Sequence, residues 1–276
     1  MNFVNNIFGK TNFKKNLAIS TVGYKIALQY KFHTFISLLT VPLNLTIFYF
    51  LWNSIFLNAG QEVINGFTFN EMISYYVLSM IVGYFTWSEP EGWMERDIRQ
   101  GRLTRYLLKP LSYLSQTIYI HFGLISNSFI IEVIPVLLIG FIFFDLKVAA
   151  LSNFVFFLIS LLFAFVLVYF LGFLLGMSAF WLKKITGISG VKRASLYLLT
   201  GGMIPLTFFP ETVQRIFHFL PFEYIRFVPI NIYLGKYSTV GNIAQLSLQL
   251  FWILFLYLLI KILWNKAAEK FAGSGT

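Results

Sequence analysis

From Phe154 to Leu182 the chain runs without a single charged side chain. A helix needs about 20 apolar residues to cross a bilayer. Inside lipid it must also satisfy every backbone N–H and C=O internally. The run is therefore read as a transmembrane helix. Similar runs predict spans at Phe32–Leu57, Met72–Ser88, Ile118–Phe144 and Ile243–Trp264, with a broken one at Ile188–Phe209. Lys192 and Arg193 lie near the start of that fifth run, and Gly201, Gly202, Pro205 and Pro210 interrupt its end. Proline lacks a backbone donor and clashes with the preceding turn, so the helix is expected to stop or kink there. The reading is an all-α polytopic membrane protein with six transmembrane helices and both termini on one side.

Composition excludes the main alternatives. Of 276 residues, 58% are hydrophobic and 12% charged, whereas average soluble domains carry about 25% charged residues. One soluble core could not hide 33 Phe, 15 Tyr and 6 Trp. The absence of cysteine removes disulfides and thiolate metal sites. A net charge of +10 could suggest nucleic acid. The basic residues instead cluster at the ends of apolar spans, which fits topology and anionic lipid head groups, so no nucleic-acid partner is expected. The first long apolar run begins only near Phe32, so the N-terminus is not read as a cleavable signal peptide.

The basic residues also orient the chain. Seventeen of the 21 Lys and Arg fall in the N-terminal segment, the segment after span two, the link after span four and the tail. Only Lys147, Arg215, Arg226 and Lys236 fall on the other side. By the positive-inside rule both termini are cytoplasmic, in a plasma (inner) membrane. Ahead of span one, Phe13, Leu17, Tyr24 and Leu28 share a helical face, which predicts an amphipathic helix along the cytoplasmic interface; Ile19 and Ile26 interrupt its polar side, and a plain tethering tail is the other reading. Between spans five and six, Val213, Ile216, Phe217 and Leu220 recur at helical spacing between Pro210 and Pro221. That helix is too short to cross, and is expected in the outer interface or in a short re-entrant hairpin before span six.

Chemistry-bearing motifs are few. Phe8-Gly9-Lys10-Thr11 looks like the end of a phosphate-binding loop, but Val4 stands where that motif needs its first glycine. No paired Asp, Ser–His set or zinc motif lies in a span, so no catalytic residue is expected. No internal repeat or inverted symmetry is evident, which argues against a secondary transporter. Glu132 is the one carboxylate well inside a span, just before Pro135. It reads equally as a substrate or proton site and as a protonated residue bonded to a neighbouring helix. His121 reads as an interface residue.

The segment Glu89–Leu111 is a charged island carrying Arg96, Arg99, Arg102, Arg105 and Lys109 among Trp93, Met94, Ile98, Leu103, Leu107 and Leu108. It reads as a charge-biased loop, an anionic-lipid patch or a docking helix for a cytosolic partner. Gly101 is expected to split it into helices at Glu91–Gln100 and Arg102–Leu108, with Glu95 and Arg99 paired at i, i+4.

Two stretches carry a family resemblance: Arg96–Ser112, and Gly201-Gly202-Met203-Ile204-Pro205-Leu206 through Phe209-Pro210 to Leu220-Pro221-Phe222. With the six-span layout they resemble the membrane (permease) subunits of type 2 ABC exporters, along nearly the whole chain. The resemblance implies one transmembrane domain, 1–276, with an interfacial segment at 1–31, a cytoplasmic coupling segment at 89–112 and an outer re-entrant segment at 203–242. It implies a coupling helix seated on a separate ATPase, mapped to Trp93, Glu95, Arg96, Arg99, Arg102, Arg105 and Leu107. The pathway candidates are Glu132, Gly201, Gly202, Pro205 and Phe209. It further implies a second permease subunit, in a hetero- or homodimer, and ATP with Mg on the partner rather than any cofactor here. The function so implied is ATP-driven export of an amphipathic or hydrophobic substrate. A nucleotide-independent channel, or a scaffold for a cytosolic complex, is the alternative.

Overall fold

The computed structural model describes residues 13–29, 31–107, 112–144, 146–182 and 184–273. Phe8–Thr11, Leu108 and Lys109, and the side chains of Phe13 and Leu107, lie outside the described residues. Twelve α-helices occur among the described residues: α1 (Phe13–Ala27), α2 (Lys31–Ala59), α3 (Phe69–Phe85), α4 (Pro90–Arg99), α5 (Arg102–Leu107), α6 (Tyr113–Ser128), α7 (Ile134–Phe143), α8 (Leu151–Met177), α9 (Thr186–Leu199), α10 (Glu211–His218), α11 (Phe227–Tyr233) and α12 (Thr239–Gly273). A two-residue hairpin, β1 (Val63–Ile64) and β2 (Phe67–Thr68), joins α2 to α3. Its turn is Asn65-Gly66, both at positive φ, the geometry that favours this dipeptide.

Among the described residues four helical stretches are long and apolar enough to cross a membrane: Leu39–Ala59, Tyr113–Phe143, Leu151–Phe180 and Thr239–Ala267. They coincide with predicted spans one, three, four and six. The other two predicted spans are shorter as helices: α3 has 17 residues and α9 has 14. The fifth run therefore does not continue as a helix to Phe209. Gly201 at φ 79 ends it, with its N–H bonded to Leu198 O and the Gly202 N–H to Tyr197 O. This reciprocal closure turns the chain out of the helix and satisfies the terminal carbonyls. The Tyr113–Phe143 stretch contains one wide π turn at Phe129–Val133, where Ile134 N–H reaches Phe129 O. Pro135 next along supplies no N–H, so the ladder shifts register around it.

Helix α8 is the hub. Leu167, Ala164, Tyr169 and Phe173 on it are fully buried, and α4, α11 and α12 pack against it. Near its C-terminal end Phe173 meets Tyr113 and Trp264, the latter two stacked with centroids 6.0 Å apart. Leu43, Ile47 and Phe50 on α2, Val155 and Leu158 on α8, and Phe251, Leu254 and Leu258 on α12 stay exposed. Such apolar stripes suit lipid or another apolar chain, not water.

Helix α1 packs along α6 with its small face and leaves the apolar face noted in the sequence outward. Asn16 and Gly23 are buried, whereas Leu17 and Leu28 are 59% and 43% exposed. A Cβ at Gly23 would overlap the Ile120 carbonyl, and one at Gly123 the Ser20 carbonyl. Small residues let the two backbones touch, so the small face packs and the leucine face remains outward.

The chain between α9 and α12 packs among α3, α8 and α12. Gln249 donates to both Tyr224 O (2.7 Å) and Ser160 O (3.2 Å). Gln249 lies about 15 Å along α12 from Thr239, at 1.5 Å per residue. The start of this segment is held by α3: Tyr75 donates to Gly201 O (2.7 Å), Tyr76 to Met203 O (2.8 Å) and Ser79 to Gly202 O (3.4 Å). On α10 only part of the predicted apolar face is covered: Phe217 is buried and Ile216 is 55% exposed.

At the pole of the β-hairpin, Glu71 gathers two cations, Lys147 Nζ at 2.9 Å and Lys236 Nζ at 2.6 Å. Glu71 precedes the apolar run that starts at Met72. Burial raises its carboxyl, but the bonds from Lys236, Lys147 and the Thr68 N–H outweigh that and hold it at about 2. A depressed folded-state value stabilises above the ordinary 4.5 and is lost as pH falls through about 2. Glu71→Gln is therefore expected to remove most of the change in unfolding midpoint between pH 5 and pH 2, measured in detergent against the parent.

Candidate functional site

The charged island folds into α4 and α5, separated at Gly101 (φ 65). One face is bolted inward. Gly172 and Gly176 on α8 leave a groove for α4: a Cβ at Gly172 would come within 2.6 Å of Glu91 Oε2 and 2.8 Å of Pro90 Cγ. A Cβ at Gly176 would meet the Glu91 Cα at 3.0 Å and the Met94 Cβ at 3.2 Å. Glu91 is fully buried and forms an ion pair with Lys192 of α9. Burial pushes the Glu91 carboxyl up, and Lys192 offsets part of this. Glu95 accepts from the Ile185 N–H (3.2 Å) at the start of α9 and from Arg99 (3.2 Å). Asp97 accepts from Tyr113 (3.0 Å) on α6 and pairs with Arg102 (3.4 Å); burial raises its carboxyl. The Trp93 ring lies 5.3 Å from that of His121, itself buried and donating to Thr117 O at 2.8 Å.

The other face is cationic. Arg96, Arg99 and Arg105 are exposed. Six of the seven residues assigned to coupling divide, the side chain of the seventh, Leu107, lying outside the described residues. Arg96, Arg99 and Arg105 point outward, Arg102 is half-buried on Asp97, and Trp93 and Glu95 are internal fasteners. His121, read from sequence as a cytoplasmic-interface residue, is buried between the Trp93 and Tyr169 rings. Glu91 and Asp97 were not singled out by sequence, although their mixture with apolar neighbours on a short helix hinted at an inward acidic face.

Beside this segment a cleft of about 350 Å³ lies between α3, α8 and α9, lined by Gly83, Trp87, Glu89, Val168, Lys192, Arg193, Tyr197, Thr200 and Arg226, among others. Arg226 sits at the start of α11. Its guanidinium rests against Gly83, where a Cβ would lie 3.1 Å from Nη2, and against Gly202, where one would lie 2.7 Å from Nη1. The Tyr197 ring centroid is 5.6 Å from its Cζ. Such a cation–π contact contributes about 0.5–2 kcal/mol, less than the several kcal/mol that desolvating a charge costs. Sequence alone grouped Arg226 with the loop cations of the far side. The long side chain instead reaches back from the turn into the cleft.

The pathway candidates scatter. Gly201 and Gly202 meet α3 beside this cleft; Pro205 and Phe209 bracket the short turn Leu206–Phe208, and the Phe209 ring lies 5.4 Å from that of Phe217. Glu132 is buried in the π turn, which packs on α2 and α3, and does not line the Arg226 cleft.

A family profile described as "ABC-2 family transporter protein" matches residues 43–275. No curated protein and no solved structure matches the chain. The matched stretch takes in the charged segment, the cleft, three membrane-length helical stretches and most of the fourth, Leu39–Ala59. The chain belongs to the ABC-2 transporter family, as a multi-pass membrane permease component of an ABC transporter.

Proposed function

We propose that this permease drives export, moving an amphipathic or hydrophobic substrate from the cytoplasm or inner leaflet by the work of a separate cytosolic ATPase. In this reading α3 and α9 complete six crossings and both termini are cytoplasmic. The hairpin through α10 and α11 re-enters from the outer face, and a second permease subunit covers part of the exposed apolar surface. The supporting observation is the two-sidedness of α4. Arg96 and Arg99 face outward, while Glu91, Glu95 and Asp97 tie the same helix to α9 and α6, and its backbone lies in the groove of α8. A push on the outer face must therefore move the three helices together. An apolar-and-basic helix of this kind suits a groove on a partner protein.

The test is the triple variant Arg96→Glu, Arg99→Glu and Arg105→Glu, purified from native membranes. Association with the ATPase is expected to fall at least about tenfold, since reversing interface charges both removes attraction and adds repulsion. The unfolding midpoint should stay close to the parent, because exposed side chains away from packing contribute little. Full retention of the ATPase by this variant would overturn the docking role.

A further inference from the structure

Arg226 poses a problem of charge. Of the three cations lining the cleft, Lys192 is matched by Glu91, and Arg193 by Glu89 at 2.5 Å. Among the described residues no carboxylate pairs with Arg226. The fold nevertheless clears a bed for it, with glycines on two separate segments and a tyrosine ring beside it. The walls around it, Val168, Leu196, Ile225, Trp87 and Tyr197, are apolar or aromatic. A guanidinium fork held in apolar surroundings matches the planar, bidentate geometry of an oxyanion. Glu91 and Glu89 balance Lys192 and Arg193, so Arg226 carries the unmatched positive charge of the lining.

We propose that this cleft binds an amphiphile by its oxyanion headgroup, a phosphate or carboxylate seated on Arg226, with the apolar part along Trp87, Tyr197 and Val168. As the identity of a transported substrate this rests on the export reading; as a binding site it does not. The headgroup can belong to a resident membrane lipid or to the cargo itself.

The experiment uses the full chain in nanodiscs of zwitterionic lipid, without nucleotide, titrated with dioctanoyl phosphatidic acid and, separately, dioctanoyl glycerol. The parent is expected to bind the phosphatidic acid at least tenfold more tightly than the neutral diacylglycerol. Arg226→Gln should abolish that preference, and Arg226→Lys should keep part of it. Ala194→Trp, which blocks the exposed wall and leaves Arg226 in place, should weaken binding by a similar factor. Equal affinity for both probes in the parent, or an unchanged preference in Arg226→Gln and Ala194→Trp, would overturn the site. Adding the ATPase and ATP separates the sources. A phosphatidic acid probe that leaves its leaflet is cargo and one that stays bound is a resident lipid, and either supports the site. ATPase capture by the same preparations reports separately on the permease reading.

Discussion

Lys192→Met is expected to destabilise the protein by about 3–5 kcal/mol, the range for removing one partner of a buried ion pair. The lost attraction is the smaller part of this. The larger part is the Glu91 carboxylate, left 1% exposed against α8 with its cation gone. The double change Glu91→Met with Lys192→Met should recover most of the loss, because two apolar side chains of similar volume carry no desolvation penalty. A double-mutant cycle on unfolding in detergent measures this coupling directly. Equal and additive losses would show that the pair does not join α4 to α9. Transport should respond differently from stability. The double variant keeps its packing but loses the charged tie, so ATP-driven flux should fall more than the unfolding midpoint.

The second large effect is expected at the crossing of α1 and α6. At Gly23 and Gly123 the two backbones are in direct contact, so any side chain must push the helices apart. Gly123→Leu is expected to cost about 1–3 kcal/mol or more, as overpacking does, and to release α1. The exposed Lys25 then becomes a better trypsin site; roughly tenfold faster cleavage there is the expected readout. Gly187→Leu on α9 is the control, since a Cβ there meets nothing within 4 Å. Unchanged cleavage in Gly123→Leu would mean that this crossing does not anchor α1.

The legibility of this chain differed from place to place for physical reasons. The membrane-crossing helices announce themselves because lipid imposes one rule on every residue of a span. The split of the charged island at Gly101 was visible because only glycine takes that φ at no cost. The Asn65-Gly66 hairpin could also have been found, since that dipeptide is the strongest short turn signal, but it lies between two apolar runs that drew the reading elsewhere. The contact of α1 with α6 was not legible, because hydrophobic periodicity marks the greasy side, whereas helices inside lipid associate through small residues. The side of α4 on which Glu95 and Trp93 lie was also hidden in the sequence. On a ten-residue helix a few charges cannot show which face is covered, and the covering groups, Ile185 N–H and His121, are far away in sequence.

By itself the sequence determined the solvent this protein lives in and where its charges gather, because hydropathy is a property of each segment taken alone. The tertiary structure decided which charges are spent internally. Glu91 finds Lys192, Glu71 finds Lys147 and Lys236, and Arg226 finds two glycines and a ring. These partners come from distant parts of the chain, and in a low-dielectric interior a charge is governed by what lies within a few ångströms of it. No local pattern in the chain encodes that distance.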